Sequence, residues 1–209
     1  GGDPANVTVF GESAGGASTL ALLATPKARG LYAKAIVQSG LGWFEPTTLA
    51  KQEAAGAEAL AKAGITAQTA ADLRALPAER LVAVNMNFSP FPDGRLLPET
   101  ATQALAAGRF ADVPLIIGAN SGEDSLMGSG PIPAARLQEI PAIARAIYKE
   151  EAATGDNALA RALFTDRVFT APARWVAAKA APGQPAWLYH FSYVATRMRP
   201  AVTRAAHAA

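Results

Sequence analysis

The sequence predicts an α/β chain: a mainly parallel sheet wrapped in helices, organised as one domain over residues 1–209. Three observations carry that prediction. Four short apolar runs recur at Asn6–Phe10, Ala33–Gly40, Val113–Gly118 and Trp187–Val194, each short enough for a strand. Long stretches of helical pattern separate them, which calls for crossover connections and parallel pairing. The first run also feeds directly into Gly11-Glu12-Ser13-Ala14-Gly15 and a small-residue helical stretch, the signature of a sharp strand-to-helix turn.

Each element follows from local chemistry. Asn6-Val-Thr-Val-Phe10 reads as a buried strand, and Ala14 to Ala24 as a helix that stops before Pro26. Ala33 to Gly40 is a second strand closing on Ser39-Gly40. Thr48 to Ala63 is Ala-rich and helical, ended by Gly64, and Ala67 to Leu76 is a further helix ended by Pro77. Pro90 to Pro98 is a Pro/Gly-rich loop with a turn at Asp93-Gly94. Thr100 to Ala107 is a short helix with Gly108 at its C-terminal cap. Val113 to Gly118 is the third strand. Ala134 to Lys149 and Ala158 to Ala181 are helical, with Pro141 and Pro172 as breaks or helix starts, and Trp187 to Val194 is the fourth strand.

Composition excludes several functions. Half of the residues are hydrophobic and 17% charged, which suits one substantial core. With 19 basic and 17 acidic residues, the pI of about 9.1 rests on a small excess. No basic tract interleaved with aromatics is present, so nucleic acid is not an expected partner. Cys is absent, which removes disulfides, thiolate metal sites and a Cys nucleophile. No run reaches the roughly 18 apolar residues of a membrane span. The two His, at 190 and 207, do not make a metal motif. The chain begins Gly1-Gly2-Asp3-Pro4 without an initiator Met and enters a core strand at once; it reads as an internal piece of a longer protein.

A serine hydroxyl is a weak nucleophile unless it is exposed beside a base and near oxyanion donors. The turn at Ser13 supplies the exposure, since flanking glycines remove side chains that would clash. A base is then required, and His is the usual one. His190 lies within a strand between aromatics, where a satisfied core imidazole is common. His207 lies in the connection after that strand, at the edge where catalytic groups of open α/β sheets gather, and is favoured. The acid belongs between Ser and His in chain order, on the loop leaving a strand. Glu123 follows the third strand through Ala119-Asn120-Ser121-Gly122, with Asp124 as the alternative. Asp93, Asp112 and Asp166 sit at turns or helix ends, where capping is expected.

On these residues the chain resembles the type-B carboxylesterase family, which includes cholinesterases and bacterial para-nitrobenzyl esterases. The matching stretches are Gly1–Gly16, Ala35–Gly40, Asp93–Glu99, Gly118–Glu123 and Pro172–Arg174. The resemblance implies an α/β-hydrolase fold, incomplete on its N-terminal side. It implies a serine ester hydrolase that works on small-molecule esters through an acyl-enzyme, with neither metal nor organic cofactor. Ser13 would be nucleophile, Glu123 acid, His207 base, and Ala14 would give one N–H to the oxyanion hole. The family's acidic residue before its catalytic Glu is replaced by Gly122, with Asp124 after, and its His-Gly-Gly-Gly-type loop lies upstream of anything in this sequence. A non-catalytic adhesion protein, or an acyltransferase or amidase using the same triad, are the alternatives.

Other residues carry expectations of their own. Ser39 ends the neighbouring strand and stands as a second group near Glu123, or as a turn cap. Glu12 reads as a structural carboxylate paired beneath the turn. Trp43, Phe44, Phe88, Phe91 and Met127 are candidates for lining an acyl pocket or for packing under loops.

Overall fold

The computed structural model describes residues 1–40, 47–67, 69–84 and 89–208. Trp43, Phe44 and Phe88 lie outside the described residues. In chain order the elements are β1 (Thr8–Glu12), α1 (Ala14–Ala24), β2 (Lys34–Gln38), α2 (Leu49–Lys62), α3 (Ala70–Arg74), α4 (Ala78–Val82) and α5 (Ala101–Ala106). Then come β3 (Leu115–Asn120), α6 (Ala134–Gln138), α7 (Ala142–Ile147), α8 (Lys149–Thr154), α9 (Asp156–Thr165), a π-helical turn (Asp166–Thr170), α10 (Ala171–Ala180) and β4 (Ala186–Phe191).

The four strands are parallel and lie in the order β1-β2-β3-β4. Every crossover therefore steps in the same direction, and right-handed crossovers all deposit their helices on one face. The core is on that face. Leu20 and Leu23 of α1, Leu105 of α5, and Ala173 and Val176 of α10 close over Ala35, Val37, Leu115 and Ile117. Leu23 and Val37 are essentially inaccessible, and side chains of this kind contribute about 1.5–3 kcal/mol each.

The opposite face of the sheet is open among the described residues. Strand register places Phe10 beside Ile36, Ile36 beside Ile116 and Ile116 beside Trp187, an apolar row that crosses all four strands. Phe10 is 71% exposed and Trp187 54%.

Helix ends follow the expected cap chemistry. Thr100 and Gln103 form a reciprocal capping box at α5, and Gly108 takes a φ of 68° just past its end. Thr25 ends α1 by donating its hydroxyl to Ala21 O at 2.7 Å, one residue ahead of Pro26. The Asp93 turn holds too: its Oδ1 accepts the N–H groups of Arg95, Leu96 and Leu97 at 2.9–3.0 Å, and those bonds hold its carboxyl below the usual range.

Several expectations differ from what is seen. The first strand runs two residues later than Asn6–Phe10 and is an edge strand with alternating exposure, because one of its faces has no cover among the described residues. The helix expected over Ala67–Leu76 contracts to Ala70–Arg74, where a Thr69–Asp72 capping box fixes its start. The block Ala134–Lys149 divides at Pro141, which caps α7. The block Ala158–Ala181 contains the π-helical turn just before Pro172, where the backbone must shed an N–H donor.

Candidate active site

β1 ends at Glu12 and α1 begins at Ala14, so one residue must turn the chain. That residue is Ser13, with φ 55° and ψ −115°. Such backbone costs a non-Gly residue on the order of 1–3 kcal/mol and persists only where the surroundings impose it. They do: Ser13 N–H donates to Gln38 O at 2.9 Å and Ser13 C=O accepts from Ala17 N–H at 3.0 Å. A side chain at Gly11 would collide with the Gly15 backbone, whereas one at Gly15 itself would meet open space. The second tight glycine is Gly16, whose Cβ would sit 2.8 Å from Gly40 Cα. The sequence expectation of two flanking glycines that relieve a clash is thus met at 11, and at 16 in place of 15. The Ser13 hydroxyl does not cap α1. Ala14 is the first helical residue, so its N–H has no acceptor within the helix.

β2 ends in a similar way. Ser39 has φ 47°, and its N–H donates to Gly118 O at 2.9 Å. Its Oγ donates to Glu123 Oε1 at 2.6 Å.

Glu123 opens a short turn after β3 and is wholly enclosed. Burying a carboxylate is costly unless its lone pairs are met. Oε1 accepts the Asn120 N–H at 2.6 Å as well as the Ser39 hydroxyl, and Oε2 lies 2.5 Å from His207 Nδ1. With carboxylate opposite Nδ1, we assign a proton to that nitrogen; Nε2 also faces a carboxylate and can accept a proton only when the ring is neutral.

His207 arrives after β4 on a segment laid against the β3 turn. Gly122 and Ala206 form a parallel bridge, Gly122 N–H donates to Ala205 O at 2.7 Å, and Asn120 Nδ2 donates to Ala206 O at 2.6 Å. Ser121 Oγ accepts the Ala205 N–H at 2.9 Å, and Ser125 Oγ accepts the His207 N–H at 2.8 Å. The imidazole, with 8% of its side chain exposed, rests against the Phe169 ring at 5.3 Å between centroids. The π-helical turn delivers that ring, so an irregularity in a long helix serves to back the histidine.

The other ring nitrogen, Nε2, faces Glu12 Oε1 at 3.2 Å. A Ser13 Oγ–His207 hydrogen bond is not among those formed by the described residues. Glu12, expected to pair beneath the turn, instead reaches the imidazole. The available signal is a carboxylate one residue ahead of a turn at the sheet's C-terminal edge. The Tyr189 hydroxyl is pushed up to about 12, first by burial and then by the charges of Glu123 and Glu12.

Asp124 faces away from the imidazole. Its carboxylate pairs with Arg204 at 2.9 Å and with Arg161 at 3.5 Å. His190 lies on β4 beside Ala119 and is exposed, not the enclosed core imidazole expected of it. Asp112 accepts the Gln184 N–H, and Asp166 accepts the Tyr148 hydroxyl. No group of three or more His, Cys, Asp or Glu suited to a metal occurs among the described residues, and no described helix is long and apolar enough to cross a membrane. Phe91 and Met127 are half-buried. One edge of the sheet thus holds a strained serine, an enclosed Glu–His pair and an uncommitted helix N–H, groups of the kind that acyl transfer uses.

Comparison with known proteins shows the family. Residues 1–136 match the model of the carboxylesterase family. The para-nitrobenzyl esterase of Bacillus subtilis is 34% identical over the full chain, which spans 46% of that protein's length. A solved PNB esterase structure superposes with a TM-score of 0.74 at 31% identity, covering 100% of this chain and 48% of the other. The Geobacillus stearothermophilus carboxylesterase gives 0.70 at 30% identity over 93% of this chain and 45% of its own. The chain thus spans about half the length of the relatives it matches, and on sequence and fold alike it belongs to the carboxylesterase family.

Proposed function

We propose that the protein carrying this chain is a carboxylic ester hydrolase working through an acyl-enzyme on Ser13. The observation that supports this reading most directly is a serine at positive φ, next in sequence to the Glu12 that His207 Nε2 faces, with Nδ1 of that histidine held by an enclosed carboxylate. In the reaction, His207 Nε2 turns from Glu12 to the Ser13 hydroxyl and takes its proton as Oγ attacks the ester carbonyl. Glu123 holds the tautomer that leaves Nε2 free to accept and offsets the imidazolium charge formed by that transfer. The Ala14 N–H stabilises the developing oxyanion. His207 then returns the proton to the leaving alcohol, and water repeats the sequence to release the acid.

The test is turnover of p-nitrophenyl esters of increasing acyl length by the intact protein, beside its Ser13→Ala variant. Hydrolysis by the unmodified protein and none by the variant is expected. Equal hydrolysis by both sinks the reading.

A further inference from the structure

Glu123 and Asp124 are neighbours in sequence, yet only Glu123 touches the imidazole. The chain places an acidic residue after Glu123 and a glycine before it. Both choices have a spatial reason. At Gly122 a Cβ would stand 2.8 Å from Ala205 O and 3.0 Å from Arg204 Cβ. Any side chain there would push back the segment that brings His207 to the site. Glycine lets that segment lie close enough for the 122–206 bridge and for the Gly122 N–H to reach Ala205 O.

The carboxylate one residue beyond Glu123 then serves the same segment from another side. Asp124 has 8% of its side chain exposed, and Arg204 Nη2 reaches both of its oxygens, at 2.9 and 3.0 Å. Arg161 of α9 donates to the Asp124 C=O at 3.3 Å and to Gly130 O at 2.7 Å, and the Asp124 N–H donates to Thr165 Oγ1 at 3.2 Å. Asp124 is therefore fixed to α9 by its backbone and by the longer 3.5 Å contact of its carboxylate with Arg161, and to Arg204 by the closer ion pair of that carboxylate. Arg204 lies three residues before His207. With the backbone bonds at Ala205 and Ala206, the ion pair leaves the last residues before the imidazole no slack.

We propose that Asp124 and Arg204 form a clasp that positions His207, with Gly122 as the gap that allows it to close. Asp124 and Arg204 are positioning residues; neither touches the reacting atoms. The proposal rests on His207 being the base. Its experiment reads the Glu123–His207 bond directly, so the clasp stands or falls separately from the esterase activity.

The variants are Arg204→Gln, Arg204→Lys and Asp124→Asn, with Arg145→Gln as control, since Arg145–Asp156 is an ion pair of two half-exposed side chains away from the site. Arg204 is nearly half exposed, so removing its charge empties no core. Two quantities are followed: the low-field proton resonance of His207 Nδ1–H, and kcat and KM for p-nitrophenyl acetate with the intact protein. In Arg204→Gln and Asp124→Asn the resonance moves upfield or broadens, and kcat falls at least about tenfold while KM stays within about twofold. Arg204→Lys, which keeps the charge, recovers most of both, and Arg145→Gln changes neither. An unaltered resonance in Arg204→Gln overturns the clasp, whatever the melting temperature does. So does a missing resonance in the unmodified protein. The same resonance shifts in a protein without ester turnover would support the clasp and sink only the esterase reading.

Discussion

Ser13 and Ser39 occupy matching places on adjacent strands. Each stands at the C-terminal end of a parallel strand, each has its backbone in the left-handed half of conformational space, and each donates its N–H to the next strand, at Gln38 O and Gly118 O. They part at the hydroxyl. Ser39 is 2% exposed and gives its proton to Glu123, whereas Ser13 is half-buried and does not use its hydroxyl to cap the helix it starts. The same turn geometry therefore yields a committed hydroxyl in one strand and an available one in the next. The surroundings make the difference: Ser13 leads into a helix N-terminus with unsatisfied donors, while Ser39 sits against the enclosed carboxylate. A reactive serine needs both the turn and freedom from a permanent partner.

The largest break in this comparison is Ser13→Ala. Ester turnover should fall by at least about 10⁴-fold, since triad members act as a unit, while the melting temperature holds or rises. His207→Ala should approach the same loss. Glu123→Gln comes next, with kcat down about 10⁴-fold, the scale of the Asp→Asn change in a serine-protease triad. The Ser39 hydroxyl and Asn120 N–H keep the amide oxygen at Oε1, so the NH2 group confronts His207 Nδ1 and forces the wrong tautomer. If Ser39→Ala proved as damaging as either, the division between committed and available serine would be wrong. Loss of that one hydrogen bond to a charged group should cost about 1.5–3 kcal/mol, read as a lower denaturant midpoint with kcat reduced by less than about 100-fold.

Ser13→Gly sharpens the contrast from the side of stability. It removes the Cβ from a backbone that L-residues avoid and should stabilise the chain by roughly 1 kcal/mol in chemical denaturation. The smallest effect concerns Tyr189. Its folded-state pKa of about 12 lies above the ordinary 10, so its contribution to stability is complete below pH 10 and is lost as pH rises from 10 towards 12. Glu123→Gln should bring that titration down, as read by phenolate absorbance, because part of the rise comes from the Glu123 charge. An unmoved titration would place Tyr189 outside the field of the site.

Much of this is legible in the sequence because it rests on local chemistry. The span Ala14–Ala24 is fixed by a turn on one side and Pro26 on the other, and α5 by Thr100, Gln103 and Gly108. That Glu123 and His207 meet follows from both lying beyond the C-terminal ends of parallel strands. The remainder depends on the third dimension. Nothing local shows that Asp124 faces Arg161 and Arg204, residues far along the chain. Glu12 keeps the alternation of β1, exposed in phase with Thr8 and Phe10, and what it meets there is His207, which arrives from far along the chain. The exposure of His190 is hidden because an aromatic-rich strand looks like core wherever it lies in a sheet, edge included.

The one-directional strand order has a consequence for how the chain is made. Among these four strands, each on leaving the ribosome finds its only earlier neighbour already in place, and none has to be threaded between two existing strands. β1 and β2 are joined by the single helix α1, so their ladder closes the shortest loop and meets the smallest entropic barrier. The nascent chain can thus assemble the Ser13 turn first. The Glu123–His207 pair closes only once the segment after β4 has been synthesised, so the strained serine exists before that pair does.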